Sequence, residues 1–563
     1  MSKIKEPDKL EKLVGILFPV FSMRREADLG IGDTTSVCMC LDWLKKYSVN
    51  FLQLLPVNVS SSDNSPYSAI SSVALDFIYL DVLKIPEVNQ ADIDYAKAKY
   101  NDDWLISEKV DYEKVRRVKS SVLRLAYEKF IKQTAVHDFE LFKQTEADWL
   151  MPFCKYSWLI EEADENEDWS TWPEKFDSPD KAEQYIAQAD VNRDGEASRK
   201  QDFYAWLQWH AFNQWRSVRE YATKLGVKLM GDIPIGVANS SADVFFEPQW
   251  FQKGWYGGAP PEKVFKDDAF TCKWGQNWGV PLYNWEALKE DDFLWWKRRI
   301  NKLTDIFNMF RIDHILGFYR IYAFPWHPKR NSEFLPLSEE EAMKLTLGEL
   351  PHFSPRDDTT LVNKARNLLA GDEYIKALQA AAGGAEVIGE DLGCVPDYVR
   401  PHLSEVNIAG FKVCHWETND HGEALMPEDH PYCSFATYTT HDHPSLSAMW
   451  DEMIKMCNTD CGKSRKKLKI ICQFANINIM KVTKPPKYND TVKWSLIKAL
   501  LNSTARYSAL MITDIIDSRK RINVPGTVTD ANWSYRVNWE FGKEPPNVAE
   551  DMEKLKMNIK KFV

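Results

Sequence analysis

The 563 residues contain no uninterrupted apolar run approaching the roughly 20 a membrane span needs, and the opening MSKIKEPDKLEKL lacks the apolar stretch of a signal peptide. A soluble, unexported, cytoplasmic protein is expected. There is no dense stripe of Lys and Arg: the one basic run, KSRKKLK at Lys463 to Lys469, reads as a solvated helix face. A formal net charge of -11 repels phosphate backbones and anionic bilayers, so neither nucleic acid nor membrane is an expected partner. The ten cysteines are scattered and form no paired C-x-x-C, which argues against zinc and against a disulfide framework and leaves reduced thiols. A near match to a calcium loop, DVNRDG at Asp190 to Gly195, carries Gln201 where a bidentate Glu is required, and reads as a capped turn. No metal and no cofactor is expected. Nor is there a Gly/Ser-rich linker, an internal repeat or a low-complexity segment, so one elaborated domain over residues 1–563 is simpler than several independent ones.

What the chain has in abundance is aromatic rings, 22 Trp, 22 Tyr and 28 Phe, flat apolar surfaces suited to sugar faces as well as to a core. It also has a recurring alternation of strand and helix patterns. Short apolar, β-branched runs occur at Val14 to Val20, Asn50 to Val57, Lys228 to Val237, Met309 to Leu316, Glu386 to Gly393, Gly410 to Trp416, Ser434 to Asp442 and Ala509 to Ile516. Amphipathic segments lie between most of them, such as Thr35 to Tyr47, Phe203 to Leu225, Phe293 to Phe307, Tyr374 to Ala382 and Val492 to Ser508. Strand followed by helix, repeated eight times, predicts an α/β fold of the (β/α)8 TIM-barrel type, with a doubly wound open sheet as the alternative. The second and third runs are too far apart for a loop, so residues 75–200 are expected to form a mostly helical insertion after strand 2, and residues 326–371 a second one after strand 4.

In such a barrel the active site gathers at the C-terminal ends of the strands, and several of the runs end in acids. The fourth reads MFRIDHILGF, with Arg311 and Asp313 two apart and so on one face of an extended strand. An Arg there keeps the Asp ionised, as a nucleophile must be. The fifth ends in Glu390 and Asp391, the seventh in His441 and Asp442, and the third contains Asp232. Any one of them has an ordinary explanation, since an acid after a strand often caps the next helix. Several at one rim repel one another, which disfavours clustering unless chemistry needs it, and acids without a metal pattern point to glycosidic chemistry.

Across most of its length the chain resembles the 4-alpha-glucanotransferase family, the amylomaltases or disproportionating enzymes. The resemblance runs through LGIGD (Leu29 to Asp33), SPYSAISS (Ser65 to Ser72), GDIPIGVANSSADV, GQNWGVPLYNW, FRIDHILGF, IGEDLG, THD and RINVPGT (Arg521 to Thr527), and its wording is closer to the cytosolic plant-type branch and its bacterial relatives. It implies Asp313 as nucleophile, Glu390 as general acid/base and Asp442 as the carboxylate that grips sugar hydroxyls in the transition state. It further implies substrate contacts from Arg311, His314 and His441, an aromatic platform at Ser65 and Tyr67, and less defined roles for Asp232 and Asp391 near the same subsite. The family's usual Glu after GFYRI is absent, with Tyr322, Ala323 and Phe324 in its place.

The activity implied is a retaining double displacement that moves α-1,4-glucan segments between maltooligosaccharides, maltose, glucose and glycogen or other glucans; oligomeric state is not legible in the sequence. Because transfer requires water to lose to a sugar hydroxyl, the stretch Gly254 to Trp278, with Trp255, Tyr256, Trp274 and Trp278, is expected to overhang the cleft and stack on acceptor glucose. The rival readings are an α-glucan hydrolase of the α-amylase kind and a non-catalytic glucan-binding barrel.

Overall fold

The computed structural model describes residues 12–133, 136–262, 268–459, 462–478 and 486–561. Among the described residues twelve strands form two sheets. They are β1 (Leu13–Leu17), β2 (Phe51–Gln53), β3 (Lys228–Ile233), β4 (Phe251–Ala259), β5 (Gln276–Tyr283), β6 (Met309–Ile312), β7 (Ile321–Phe324), β8 (His352–Ser354), β9 (Glu386–Gly389), β10 (Ala409–Val413), β11 (Ser434–Thr437) and β12 (Tyr507–Met511). Eight of them close a barrel in the order β1-β12-β11-β10-β9-β6-β3-β2, each pair parallel. Each barrel strand overlaps one of the eight runs picked out by composition. The runs read as unbroken apolar stretches because a parallel barrel strand is covered on one face by its own interior and on the other by helices. Inside, Phe51, Met230, Met309, Ile388, Phe411, Phe435 and Tyr507 fill the barrel as one buried cluster, so it is a packed core and not a pore.

The first outer helix shows how local sequence sets the elements. Asp33 accepts from the Ser36 amide at 2.9 Å, closing a capping box at the start of Thr34–Lys46. Val37, Cys40, Leu41 and Leu44 recur at helical spacing and are fully buried. Lys45 and Lys46 sit in the last turn, where the helix dipole favours them.

Residues 75–200 hold a run of helices, chiefly Gln90–Lys97, Tyr112–Phe130, His137–Thr145, Ala147–Glu162 and Pro179–Asn192; the first packs on Tyr112–Phe130 and the others pack on the 30-residue helix Glu196–Leu225. Asp190 lies in the last of these, and its Oδ1 accepts from the Ser198 amide at 2.8 Å, turning the chain into the long helix. The basic run lies on the helix Lys463–Phe474, with Arg465, Lys466, Lys467 and Lys469 exposed and Leu468 and Ile471 buried.

A second sheet, antiparallel in the order β5-β4-β7-β8, was not among the elements expected from composition. Its two halves leave from the C-terminal ends of the neighbouring barrel strands β3 and β6, which places it on the rim where those strands end. The Tyr283 hydroxyl donates to the Ile235 carbonyl at 2.8 Å and pins it there. It has its own small core of Trp274, Phe324, Trp326, Phe334 and Ala342. Within residues 326–371 lie the short helices Asn331–Phe334 and Glu339–Leu345, strand β8, and the start of the helix Leu361–Ala382 that returns to the barrel. Among the described residues no helix is long and apolar enough to cross a membrane.

Candidate active site

Barrel register assembles the cluster. Asp232 on β3 and Arg311 on β6 are direct cross-strand partners. The Arg311 guanidinium grips Asp232 with two bonds, Nε to Oδ1 at 2.9 Å and Nη2 to Oδ2 at 2.8 Å. Nη2 also reaches Asp313 Oδ1 at 2.8 Å and the Tyr67 hydroxyl at 2.9 Å. Tyr67 in turn donates to Asp232 Oδ2 at 2.7 Å and stacks on His441, ring centroids 5.0 Å apart and nearly parallel at 19°. Ser65 does not join this cluster directly; its hydroxyl accepts from the Tyr67 amide at 3.3 Å and so shapes the turn that presents the ring.

Just beyond β6 the chain turns sharply: His314 has φ +51°, a left-handed conformation rare outside glycine. That turn aims the His314 amide at Glu390 Oε2, 2.8 Å away, while the Leu392 amide holds Oε1 at 2.8 Å. Glu390 is thus fixed by the residue that follows Asp313, with backbone donors and no cation among its hydrogen-bond partners. Burial pushes the Glu390 carboxyl up to about 8, with the Asp313 charge adding to it. Burial also lifts Asp313, to about 6, against the pull of Arg311. Two coupled acids so placed split into a lower and a higher titrating member, and around neutrality Asp313 is ionised while Glu390 keeps its proton. The His314 ring is pushed down to about 4 by burial and is neutral.

Asp442 closes the third side. Burial works to raise its pKa, but the His441 ring and the Asn523 amide outweigh this and hold the carboxyl well below the ordinary range. Asn523 Nδ2 donates to Asp442 Oδ1 at 2.6 Å, His441 Nε2 lies 3.4 Å from Oδ2, and Arg521 Nη2 donates to the Asp442 carbonyl at 2.6 Å. Arg521 and Asn523 stand in RINVPG, visible in the sequence as a motif but without an assigned contact. Trp533, packed against both Tyr67 and His441 at 5.7 Å, gave no sequence signal.

Two expectations are corrected. Asp391 is not part of the cluster: adjacent residues leave an extended strand on opposite faces, and its carboxylate is fully buried on the Phe411 amide at 2.6 Å and Arg400 Nε at 2.9 Å. Of the four rings expected over the cleft, only Trp278 is beside the cluster, 37% exposed and edge-on to His314 at 4.9 Å. Trp274 is buried, donates to the Phe334 carbonyl at 3.0 Å and packs on Trp326, while Trp255 and Tyr256 lie against His352 and His327. Trp274 thus belongs to the core of the second sheet, and Trp255 packs on its strand β8. Among the described residues no group of three or more His, Cys, Asp or Glu side chains is arranged to hold a metal ion.

A closed parallel barrel with acids converging at the C-terminal ends of its strands is the build of a barrel enzyme. The family model for 4-alpha-glucanotransferases matches residues 18–541, and the chain belongs to that family, the amylomaltases, and shares its transfer of 4-alpha-glucan segments. The 4-alpha-glucanotransferase of Chlamydia pneumoniae is 28% identical over 537 residues, covering 93% of this chain and 91% of that one. The rice 4-alpha-glucanotransferase DPE2 is 31% identical over 356 residues, 60% of this chain and 36% of its own. Among solved structures, the amylomaltase from Streptococcus agalactiae in complex with acarbose superposes with a TM-score of 0.77 at 21% identity, covering 98% of this chain and 99% of that one. At that identity the match speaks for the fold.

Proposed function

We propose that this transfer proceeds by retaining double displacement, with Asp313 as nucleophile, Glu390 as general acid and then base, and Asp442 as the carboxylate that grips the sugar. Protonated Glu390 gives its proton to the glycosidic oxygen as Asp313 attacks the anomeric carbon; the C–O bond breaks, and the reducing-end sugar leaves with the proton. Ionised Glu390 then removes the proton from the 4-hydroxyl of an acceptor, whose oxygen displaces Asp313, and the two inversions retain the α configuration. Asp232 and Arg311 orient Tyr67 and Asp313, and His314 and His441 offer ring N–H groups to sugar hydroxyls. Donors in this reading are maltooligosaccharides and acceptors are glucose, maltose or longer glucans including glycogen, in the cytoplasm.

The supporting observation is the pairing of Glu390 and Asp313: neighbours joined through the His314 amide, Asp313 ion-paired with the Arg311 guanidinium and Glu390 hydrogen-bonded by backbone amides, an asymmetry that favours the two protonation states the mechanism needs. Incubation with maltotriose tests it. A ladder of longer maltodextrins with little net gain of reducing ends is expected, and Asp313→Asn should lower the rate by at least about a thousandfold with folding retained. Accumulation of reducing ends without a ladder would place the chain with the hydrolases; an active Asp313→Asn enzyme would remove Asp313 from the nucleophile's role.

A further inference from the structure

The segment that carries His441 and Asp442 is a loop between β11 and the helix Leu446–Thr459, and a loop is a poor platform for a carboxylate that must meet a transition state. Both of its ends are tied to one residue. Asp514, 1% exposed, sits in the short helix Ile512–Ile515 directly after β12, the strand that pairs with β11. Its Oδ1 accepts from the Leu446 amide at 2.7 Å, and its Oδ2 accepts from the Thr439 hydroxyl at 3.0 Å and the Met511 amide at 3.1 Å. One carboxylate therefore staples the entry of the loop, the exit of the loop and the end of the adjacent strand. On its far side, Lys493 donates to the Ile515 carbonyl at 2.6 Å and pairs with Asp551 at 2.8 Å, fixing the short helix in turn.

We infer that Asp514 is a positioning residue for the reaction: it fixes the loop so that the Asp442 carboxylate, itself oriented by Asn523 and His441, stays where the reacting sugar meets it. This rests on the reading of Asp442 given above. The choice of an acid at a buried position is the informative feature. All three groups that converge on Asp514 are donors, and an ionised carboxylate is acceptor-only. An Asn turns an NH2 toward at least one of those donors, and neither backbone N–H can accept from it. Burial pushes the Asp514 carboxyl up to about 6 while the three donors pull it down, so it remains ionised at neutral pH. A small displacement of a group that acts in the transition state is expensive in rate even when substrate still binds.

The test is a double-mutant cycle on the full chain, following kcat and KM for glucose release from maltotriose. Asp514→Asn is expected to lower kcat about tenfold to a hundredfold, the equivalent of one lost charge-assisted bond, with KM changed much less. In an Asp442→Asn background the same substitution should lower kcat by less than about twofold, because the group it positions is gone. Thr439→Val removes one of the three donors without changing side-chain size and should give a smaller loss with the same dependence on Asp442; it carries the cycle if Asp514→Asn does not fold. An equal loss in both backgrounds means that Asp514 acts on the fold at large and overturns the inference, as does an unchanged kcat in Asp514→Asn. If Asp442→Asn alone keeps near-normal kcat, the reading of Asp442 fails and the inference with it, an outcome distinct from equal losses.

Discussion

Two clusters of buried charge, one under the helical insertion and one at the barrel rim, solve the same electrostatic problem in opposite ways. Under the insertion, Arg25 pairs with Asp33 at 2.6 Å and Asp81 at 3.1 Å, Arg536 pairs with Asp28 at 2.7 Å, and the fully buried Lys119 donates to the carbonyls of Ile78 at 2.5 Å and Leu80 at 2.7 Å. There each of these carboxylates has a guanidinium, while the Lys119 ammonium is held by carbonyl oxygens alone and burial pushes it down to about 8. Burial works to raise the pKa of Asp33, but Arg25 outweighs it and keeps the carboxyl below its ordinary value. At the rim the pairing is deliberately incomplete: Arg311 serves Asp232 and Asp313, and Glu390 receives only backbone N–H groups. A carboxylate paired with a guanidinium keeps its charge; an acid hydrogen-bonded by backbone amides alone holds a proton it can give away. Among the acids, the difference between scaffold and chemistry is therefore visible in which one has no guanidinium as a hydrogen-bond partner, more than in how many charges are buried.

The comparison predicts opposite phenotypes. Glu390→Gln should lower kcat on maltotriose by at least about a hundredfold, since proton donation to the leaving oxygen is lost. A maltosyl fluoride donor, whose leaving group needs no proton, should recover much of the first step. Asp33→Asn should leave kcat near normal while lowering the melting temperature. If Asp33→Asn instead abolished activity in a fully folded protein, the division into scaffold and chemistry would be broken.

pH sharpens the same contrast. The competent form has Asp313 ionised and Glu390 protonated, so kcat/KM should fall as pH drops below about 6 and again as it rises past about 8. Stability follows the opposite logic at the two acids. In the unfolded chain Glu390 ionises near its ordinary 4.5, but in the fold it holds its proton to about 8, so between those values the folded state binds more protons and loses stability as pH rises. Glu390→Gln escapes this loss, and its melting temperature relative to the wild type should climb across that window. Asp33, depressed in the fold, contributes stability above its unfolded pKa that is lost as pH falls through the folded one; the deficit of Asp33→Asn should shrink in acid. Parallel melting curves for wild type and Glu390→Gln from pH 5 to pH 8 would show that Glu390 is not a strained acid.

The sequence disclosed the barrel because a parallel strand covered on both faces must be apolar throughout, and it disclosed Asp232, Asp313, Glu390 and Asp442 because acids ending such strands stand out against that background. Asp391 was misplaced for a reason internal to the strand: it is next to Glu390 in sequence, but alternation sends it to the Phe411 amide and Arg400. The second sheet was missed because β4 and β5 are rich in Gly and aromatics rather than alternating, with register shifts along their pairing, and β7 and β8 are four and three residues long. Asn523 and Asp514 were beyond reach because their partners lie dozens of residues away and depend on how loops fold over the rim.

The smallest expected effect concerns the two tryptophans that sequence treated alike. Trp278 lies on β5 with its ring edge-on to His314 and 37% exposed beside the cluster, so its loss opens the Glu390 side of the cleft to water without emptying a core. Trp274, four residues earlier, is buried among Phe324, Trp326 and Phe334. Trp278→Ala should shift the ratio of transfer to hydrolysis toward hydrolysis by about threefold to tenfold, the scale of one aromatic contact to a sugar, and leave the melting temperature nearly unchanged. Trp274→Ala should cost about 3 to 5 kcal/mol of stability with the ratio unchanged at temperatures where the protein stays folded. The ratio is read from glucose and reducing ends released from the same maltotriose reaction. Should Trp278→Ala leave it where it was, the ring is no acceptor platform, and the exclusion of water must come from other rings of the site, Tyr67, His441 and Trp533.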